Sequence, residues 1–126
     1  MQQMSNSEHE IMQAIWQSGG QITVGALLNR LGGLGKSWKS STVVTFLSRL
    51  VEKGMLNAVK DGRNNLYIAA VSEEELRRYE TQSFIEKIYD GNAKELVASL
   101  LKQESLTPED MEELREFWRK GRNWSE

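Results

Sequence analysis

A chain of 126 residues with 39% hydrophobic and 27% charged side chains, ten glycines and one proline has room for one ordinary domain, or a small domain plus an oligomerisation segment, and reads as folded and mainly helical. Cysteine is absent and His9 is the only histidine, so disulfide frameworks, cysteine nucleophiles and Cys/His zinc sites are excluded, and neither a metal nor a cofactor is expected. The formal net charge of -2 speaks against nucleic acid, but it is an average: residues 1–71 carry seven basic and four acidic side chains, a net +3, whereas residues 72–126 carry nine and fourteen, a net -5. Six of the seven N-terminal cations lie between Lys36 and Arg63 with only Glu52 and Asp61 against them, a window of +4. No run approaches eighteen apolar residues, and the N-terminus has neither a basic start nor an apolar stretch, so the expectation is a cytoplasmic protein without membrane partners.

Ser7-Glu8-His9-Glu10 has the S-x-x-E form of a capping box and predicts a first helix over about residues 8–18, with Ile11, Ala14 and Ile15 inward, Met12 and Trp16 widening the stripe, and Gly19-Gly20 as its stop. Gln21-Ile22-Thr23 suits a brief extended segment. Thr23 can then cap a short helix holding Leu27, Leu28 and Leu31, ended by the loop Gly32-Gly33-Leu34-Gly35. From Ser41 to Lys53, Val43, Phe46, Leu47 and Leu50 repeat at i, i+3, i+4, i+7 and must face a core. The opposite side carries Ser41, Thr45, Ser48 and Glu52, flanked by Thr42 and Arg49 on one edge and Val44 and Val51 on the other. Leu56 to Lys60 and Leu66 to Ala70 read as two strands around Asp61-Gly62-Arg63-Asn64-Asn65, a hairpin.

A second capping box, Ser72-Glu73-Glu74-Glu75, opens a long helix through Leu76, Tyr79, Phe84 and Ile88 to Tyr89, where Asp90-Gly91-Asn92 breaks it. Another helix runs from about Ala93 to Gln103 with Leu96, Val97, Leu100 and Leu101. Thr107-Pro108-Glu109-Asp110 starts a last one, whose apolar face is Met111, Leu114, Phe117 and Trp118. Three amphipathic helices in 55 residues are a thin basis for an independent core, so these twelve apolar side chains are expected to pair with a second copy of the chain. Trp124 receives no role.

The order helix, extended segment, helix, helix, hairpin is the winged helix-turn-helix plan, in which the third helix enters the major groove of DNA and the wing follows the backbone. The predicted fold is therefore mainly α with a small β hairpin: a winged helix-turn-helix domain at residues 1–71 and a helical dimerisation domain at 72–126. Short hydroxyl side chains at Ser40, Ser41, Thr42, Thr45 and Ser48 let a helix approach base edges, Val44 can meet a thymine methyl, and Lys36, Lys39, Arg49, Lys60 and Arg63 are placed to neutralise phosphates. The bland reading of the same face is a solvated surface, and of Glu73 to Glu75 and Glu112-Glu113 a helix start and a wet face rather than catalytic carboxylates. A phosphate loop ending at Lys36-Ser37 fails because Arg30 stands where glycine is required. No enzyme is expected.

Glu10 to Trp16, Trp38 with Ser41-Thr42-Val43, Leu47 to Gly54, Asp61-Gly62-Arg63 with Tyr67, Val71 to Glu75 and Leu106 to Arg115 together resemble the penicillinase and methicillin-resistance repressors of the BlaI/MecI type. The resemblance spans nearly the whole chain. It implies a homodimeric transcriptional repressor on a palindromic operator, with antibiotic-resistance genes as candidate targets and a sensor protease as a candidate partner. The family's recognition helix is commonly basic at the positions of Ser41 and Val44, and its antibiotic-responsive members are cut at an Asn-Phe bond whose counterpart here is Ser99-Leu100. The copper-responsive branch relies on a cysteine cluster that this chain lacks. A winged-helix protein-interaction module without DNA binding is the alternative reading, motivated by Ser41, Val44 and the negative overall charge.

Overall fold

A computed structural model describes residues 4–121, and Trp124 lies outside them. The chain divides into two compact units, Met1–Glu80 and Thr81–Glu126. The first contains α1 (Asn6–Gln17), β1 (Gln21–Thr23), α2 (Val24–Gly33), α3 (Ser40–Glu52), β2 (Leu56–Asp61), β3 (Asn64–Ala69) and the opening of α4 (Glu73–Tyr89); the second holds the rest of α4, α5 (Ala93–Lys102) and α6 (Pro108–Gly121).

The core of the first unit is built from the inward stripes of three helices: Ile11, Met12, Ala14 and Ile15 of α1, Leu27 and Leu31 of α2, and Val43, Leu47 and Leu50 of α3. Met55, Leu56, Ile22 and Tyr67 close it from the sheet side. Fully burying side chains of this size is worth about 1.5–3 kcal/mol each, so this cluster is the main favourable term in the unit's stability. Leu76, which the sequence placed on the pairing face, belongs to this core, and at 1% exposure its side chain has no surface left for a partner. Phe46, expected inside, is only half-buried at the edge of the cluster.

The first helix starts two residues earlier than expected. Ser5, not Ser7, is the N-cap: its hydroxyl accepts from the Glu8 amide at 3.2 Å, and Glu8 Oε1 accepts from the Ser5 amide at 2.8 Å. Both Ser5-x-x-Glu8 and Ser7-x-x-Glu10 fit the capping pattern, and tertiary structure decides between them, because the earlier register buries Glu8 against Lys53. Thr23 caps α2 as expected. That helix runs through Gly32 and Gly33 and closes only where the Lys36 amide donates to the Leu31 carbonyl at 2.9 Å. At the end of α3, Gly54 at φ +79° lets the Met55 amide donate to Leu50 O at 2.9 Å and the Gly54 amide to Val51 O at 3.0 Å, a Schellman closure that drives Met55 into the core.

The hairpin is tighter than the sequence suggests, since Asp61 pairs with Asn64 and leaves only Gly62-Arg63 as the turn, with Gly62 at φ +65°. The sheet has a third strand: β1 pairs antiparallel with β3, Ile22 opposite Tyr67, in the order β1-β3-β2. Trp16 Nε1 donates to Val71 O at 3.0 Å, tying the chain after β3 to α1. The Ser72-Glu75 box forms as expected and starts α4.

In the second unit, α5 is capped by Asn92, and α6 by a reciprocal Thr107-Asp110 box with both bonds at 3.0 Å and Pro108 in the first turn. Neither helix buries a residue. Val97, Leu100, Leu101, Met111, Leu114, Phe117 and Trp118 stand between 36% and 66% exposed, and of the α4 portion Ile85 is buried while Phe84, edge-on to Tyr89, and Ile88 are exposed. Among the described residues no helix is long and apolar enough to cross a membrane, and no group of His, Cys, Asp or Glu is placed to hold a metal ion.

Candidate nucleic-acid interface

The site is built on the outer face of α3 and on the β2-β3 wing. Because Val43, Leu47 and Leu50 are drawn fully into the core, helical geometry turns Ser41, Val44, Thr45 and Ser48 outward, and all four are exposed. Ser40 and Arg49 are exposed as well, and Thr42 is half-buried. Lys39 is the N-cap residue, and its side chain makes no capping bond, so α3 begins with backbone amides that no side chain caps. Thr45 Oγ1 donates to the Ser41 carbonyl at 3.0 Å, which holds the threonine in one orientation along the helix. On the wing, Lys60 and Arg63 are exposed, Arg63 at the tip of the turn.

The cations sort into two groups. Lys53 Nζ lies 2.8 Å from Glu8 Oε1, beneath the surface, where Glu8 is 2% exposed. Burial pushes the Glu8 carboxyl up, but the Lys53 hydrogen bond, the Ser5 amide and hydroxyl and the Lys53 charge together outweigh it and hold Glu8 below the usual carboxylate range. Lys36 Nζ lies 3.1 Å from Glu10 and 5.7 Å from the ring centre of Trp38, so the cation expected at phosphate is paired with α1. Lys39, Arg49, Lys60 and Arg63 remain against Glu52 and Asp61, a net of +2 toward solvent in place of the +4 counted along the sequence.

An aromatic step, missed as part of the site by sequence reasoning, leads into α3. Trp38 meets Phe46 edge-on at 5.6 Å between ring centres, and the Arg49 guanidinium sits 6.0 Å from the Phe46 ring. The step packs the segment before α3 against its flank, and Arg49 lies beside it. No signal in the sequence singles out Phe46, because 46 falls on the same apolar stripe as 43, 47 and 50. His9, read from sequence as a surface residue of the first turn, is half-buried and edge-on to Trp16 at 6.4 Å. In the second unit, Ser99 and Leu100 both lie inside α5, with the Gln103 side chain donating to Ser99 Oγ at 2.9 Å.

The chain has counterparts among known proteins. A penicillinase repressor from Bacillus licheniformis is 29% identical over 121 residues, covering 96% of this chain and 93% of that one. The methicillin resistance regulatory protein MecI of Staphylococcus aureus strain N315 is 28% identical over 118 residues, 94% of each. Among solved structures, the monomeric form of Bacillus licheniformis BlaI in complex with the blaP half-operator matches 59% of this chain and 88% of that one at 32% identity and a TM-score of 0.50. A profile of the penicillinase repressor family, whose members are transcriptional repressors and not enzymes, matches residues 4–120. With the family profile matched over residues 4–120 and near-complete coverage of the relatives, the chain belongs to the penicillinase repressor family.

Proposed function

We propose that this protein is a cytoplasmic transcriptional repressor that binds a palindromic operator as a homodimer, with one α3 in the major groove of each half-site and the wing on the adjoining backbone. The observation that carries the reading is the outward face of α3, short-chained from Ser40 to Ser48 with Glu52 at its end as the one acidic group, next to the exposed cations Lys39, Arg49, Lys60 and Arg63. The related BlaI in complex with a half-operator supports it. On this reading Ser40, Ser41, Thr42, Val44, Thr45 and Ser48 approach the groove, and Lys39, Arg49, Lys60 and Arg63 meet phosphates.

The second copy is supported by α5 and α6, whose apolar side chains stay at the surface of one chain. Leu96, Val97, Leu100, Leu101, Met111, Leu114, Phe117 and Trp118, with Tyr79, Phe84 and Ile88, form the pairing surface in this proposal, and Leu76 is withdrawn from it because the monomer core already holds it. The surface charge facing DNA is modest, so affinity depends on two joined readers rather than on one. Likeness to the penicillinase and methicillin-resistance repressors supports resistance genes as targets and a sensor protease as inducing partner within this proposal. A cut at Ser99-Leu100 requires the middle of α5 to unwind first.

Gel shift of the full chain against DNA upstream of its own gene tests the reading. The expected result is a sequence-specific complex that weakens steeply with salt, because each phosphate neutralised releases counterions. Failure to shift any promoter fragment favours the protein-interaction module. Incubating the chain with a candidate sensor protease and sequencing the products tests the proteolytic arm, which requires cleavage at Ser99-Leu100.

A further inference from the structure

The outward face of α3 has an unusual chemistry for a reader of base edges. Ser41, Val44, Thr45 and Ser48 stand at i, i+3, i+4, i+7, a stripe nearly opposite the core stripe, and none of the four carries the forked donors that recognise guanine in two places. Arg49, the long cation of the same helix, lies at the flank with its guanidinium 6.0 Å from the Phe46 ring. Val44 presents an aliphatic side chain 39% exposed. Thr45 is exposed too, and its hydroxyl is turned back along the helix, donating to Ser41 O at 3.0 Å. A staggered side chain that turns Oγ1 onto its own helix leaves the γ-methyl as its outward group, and the hydroxyl with no proton to donate to a base. Two adjacent aliphatic surfaces therefore occupy the middle of the stripe, with the hydroxyls of Ser41 and Ser48 above and below.

We propose that α3 selects its half-site through the C5-methyl groups of thymine, packed against Val44 and the γ-methyl of Thr45, and not through paired hydrogen bonds to guanine. Thymine is the base that offers an aliphatic group in the major groove, so an aliphatic pair in the centre of the reader discriminates for it. The inference rests on the operator-binding reading above and gives that reading its base preference.

The test uses the full chain. A preferred duplex is first enriched from a random double-stranded pool, and each of its thymines is then replaced by deoxyuridine, which removes only the methyl, and each guanine by 7-deazaguanine, which removes the N7 acceptor. The expected result is a loss of about fourfold in affinity for each contacted methyl, the size of one buried carbon. Deazaguanine duplexes are expected to bind within twofold of the parent. Val44→Ala and Thr45→Ser should each bind the parent duplex more weakly and lose sensitivity to deoxyuridine, whereas Thr45→Val, which keeps the methyl and drops the hydroxyl, should retain it. Both positions are exposed, and unchanged thermal melting confirms that the three variants fold. Binding that is indifferent to every deoxyuridine but falls with deazaguanine overturns the inference and leaves the repressor reading standing. A pool from which no sequence is enriched overturns both.

Discussion

The helices α3 and α6 carry apolar stripes of similar regularity and meet opposite fates. In α3, Val43, Leu47 and Leu50 are wholly buried against α1, α2 and the sheet. In α6, Met111, Leu114, Phe117 and Trp118 remain 39–66% exposed, and α5 likewise buries nothing. An amphipathic pattern states that a face will be covered without stating by what. The first unit has enough chain to cover its own stripes, with a three-stranded sheet closing the remaining side. In the second unit α5 and α6 bury no residue of their own, which is what motivates a second copy as the proposed cover and places the proposed pairing and DNA-reading surfaces in different parts of the sequence.

Several substitutions separate the two regions, and the largest effect belongs to the first. Lys53→Met leaves the Glu8 carboxylate buried without its cation. Because Lys53 reaches solvent, the loss is expected near the lower end of the roughly 3–5 kcal/mol typical of a broken buried pair, read by denaturant unfolding of the full chain. The same pair sets an acid limit. Folding lowers the Glu8 pKa, so its stabilisation is complete above the ordinary carboxylate value of about 4.3 and is lost as the pH falls through the depressed folded value. In Glu8→Gln that part of the pH dependence should vanish, and an unaltered acid profile would show that Glu8 is not its source.

A smaller energetic effect with a larger functional one is expected in the second region. Leu114→Glu places a charge in the proposed pairing surface. It should leave the unfolding of the first unit unchanged and lower affinity for a two-half-site duplex by about 10²-fold through lost avidity. Equal affinity in the variant would break the division of labour. The smallest expected effect is that of Arg63→Ala at the wing tip, which should weaken binding alike for all sequences and reduce the salt slope by about one, as for a single phosphate contact.

Most of the fold was legible because local rules and tertiary demands agree in it. The stripes of α1 and α3, the Ser72 and Thr107 caps and the hairpin all follow from spacing that no distant contact opposes. At two of the places where the reading failed, a distant partner decided. Ser5 took the cap from Ser7 because Glu8 had Lys53 to meet, 45 residues away. Leu76 left the pairing face because the first core extends past Val71 to take it in. The candidate site was legible as a set of residues and not as a charge: Lys36 and Lys53 belong to the basic window in sequence, but Glu10 and Glu8 of α1 pair with them in space. The lock between Thr45 and Ser41 was likewise invisible, since a threonine can turn its hydroxyl to backbone or to solvent with the same sequence around it.

The central claim, that the acidic helical half exists to join two DNA readers, is tested most directly by the stoichiometry of the complex. Sedimentation of the full chain at micromolar concentration, alone and with a duplex carrying two enriched half-sites, should give a dimer in both states and two chains per duplex, bound together without a one-chain intermediate. A monomer in solution that loads the two half-sites independently would contradict the account.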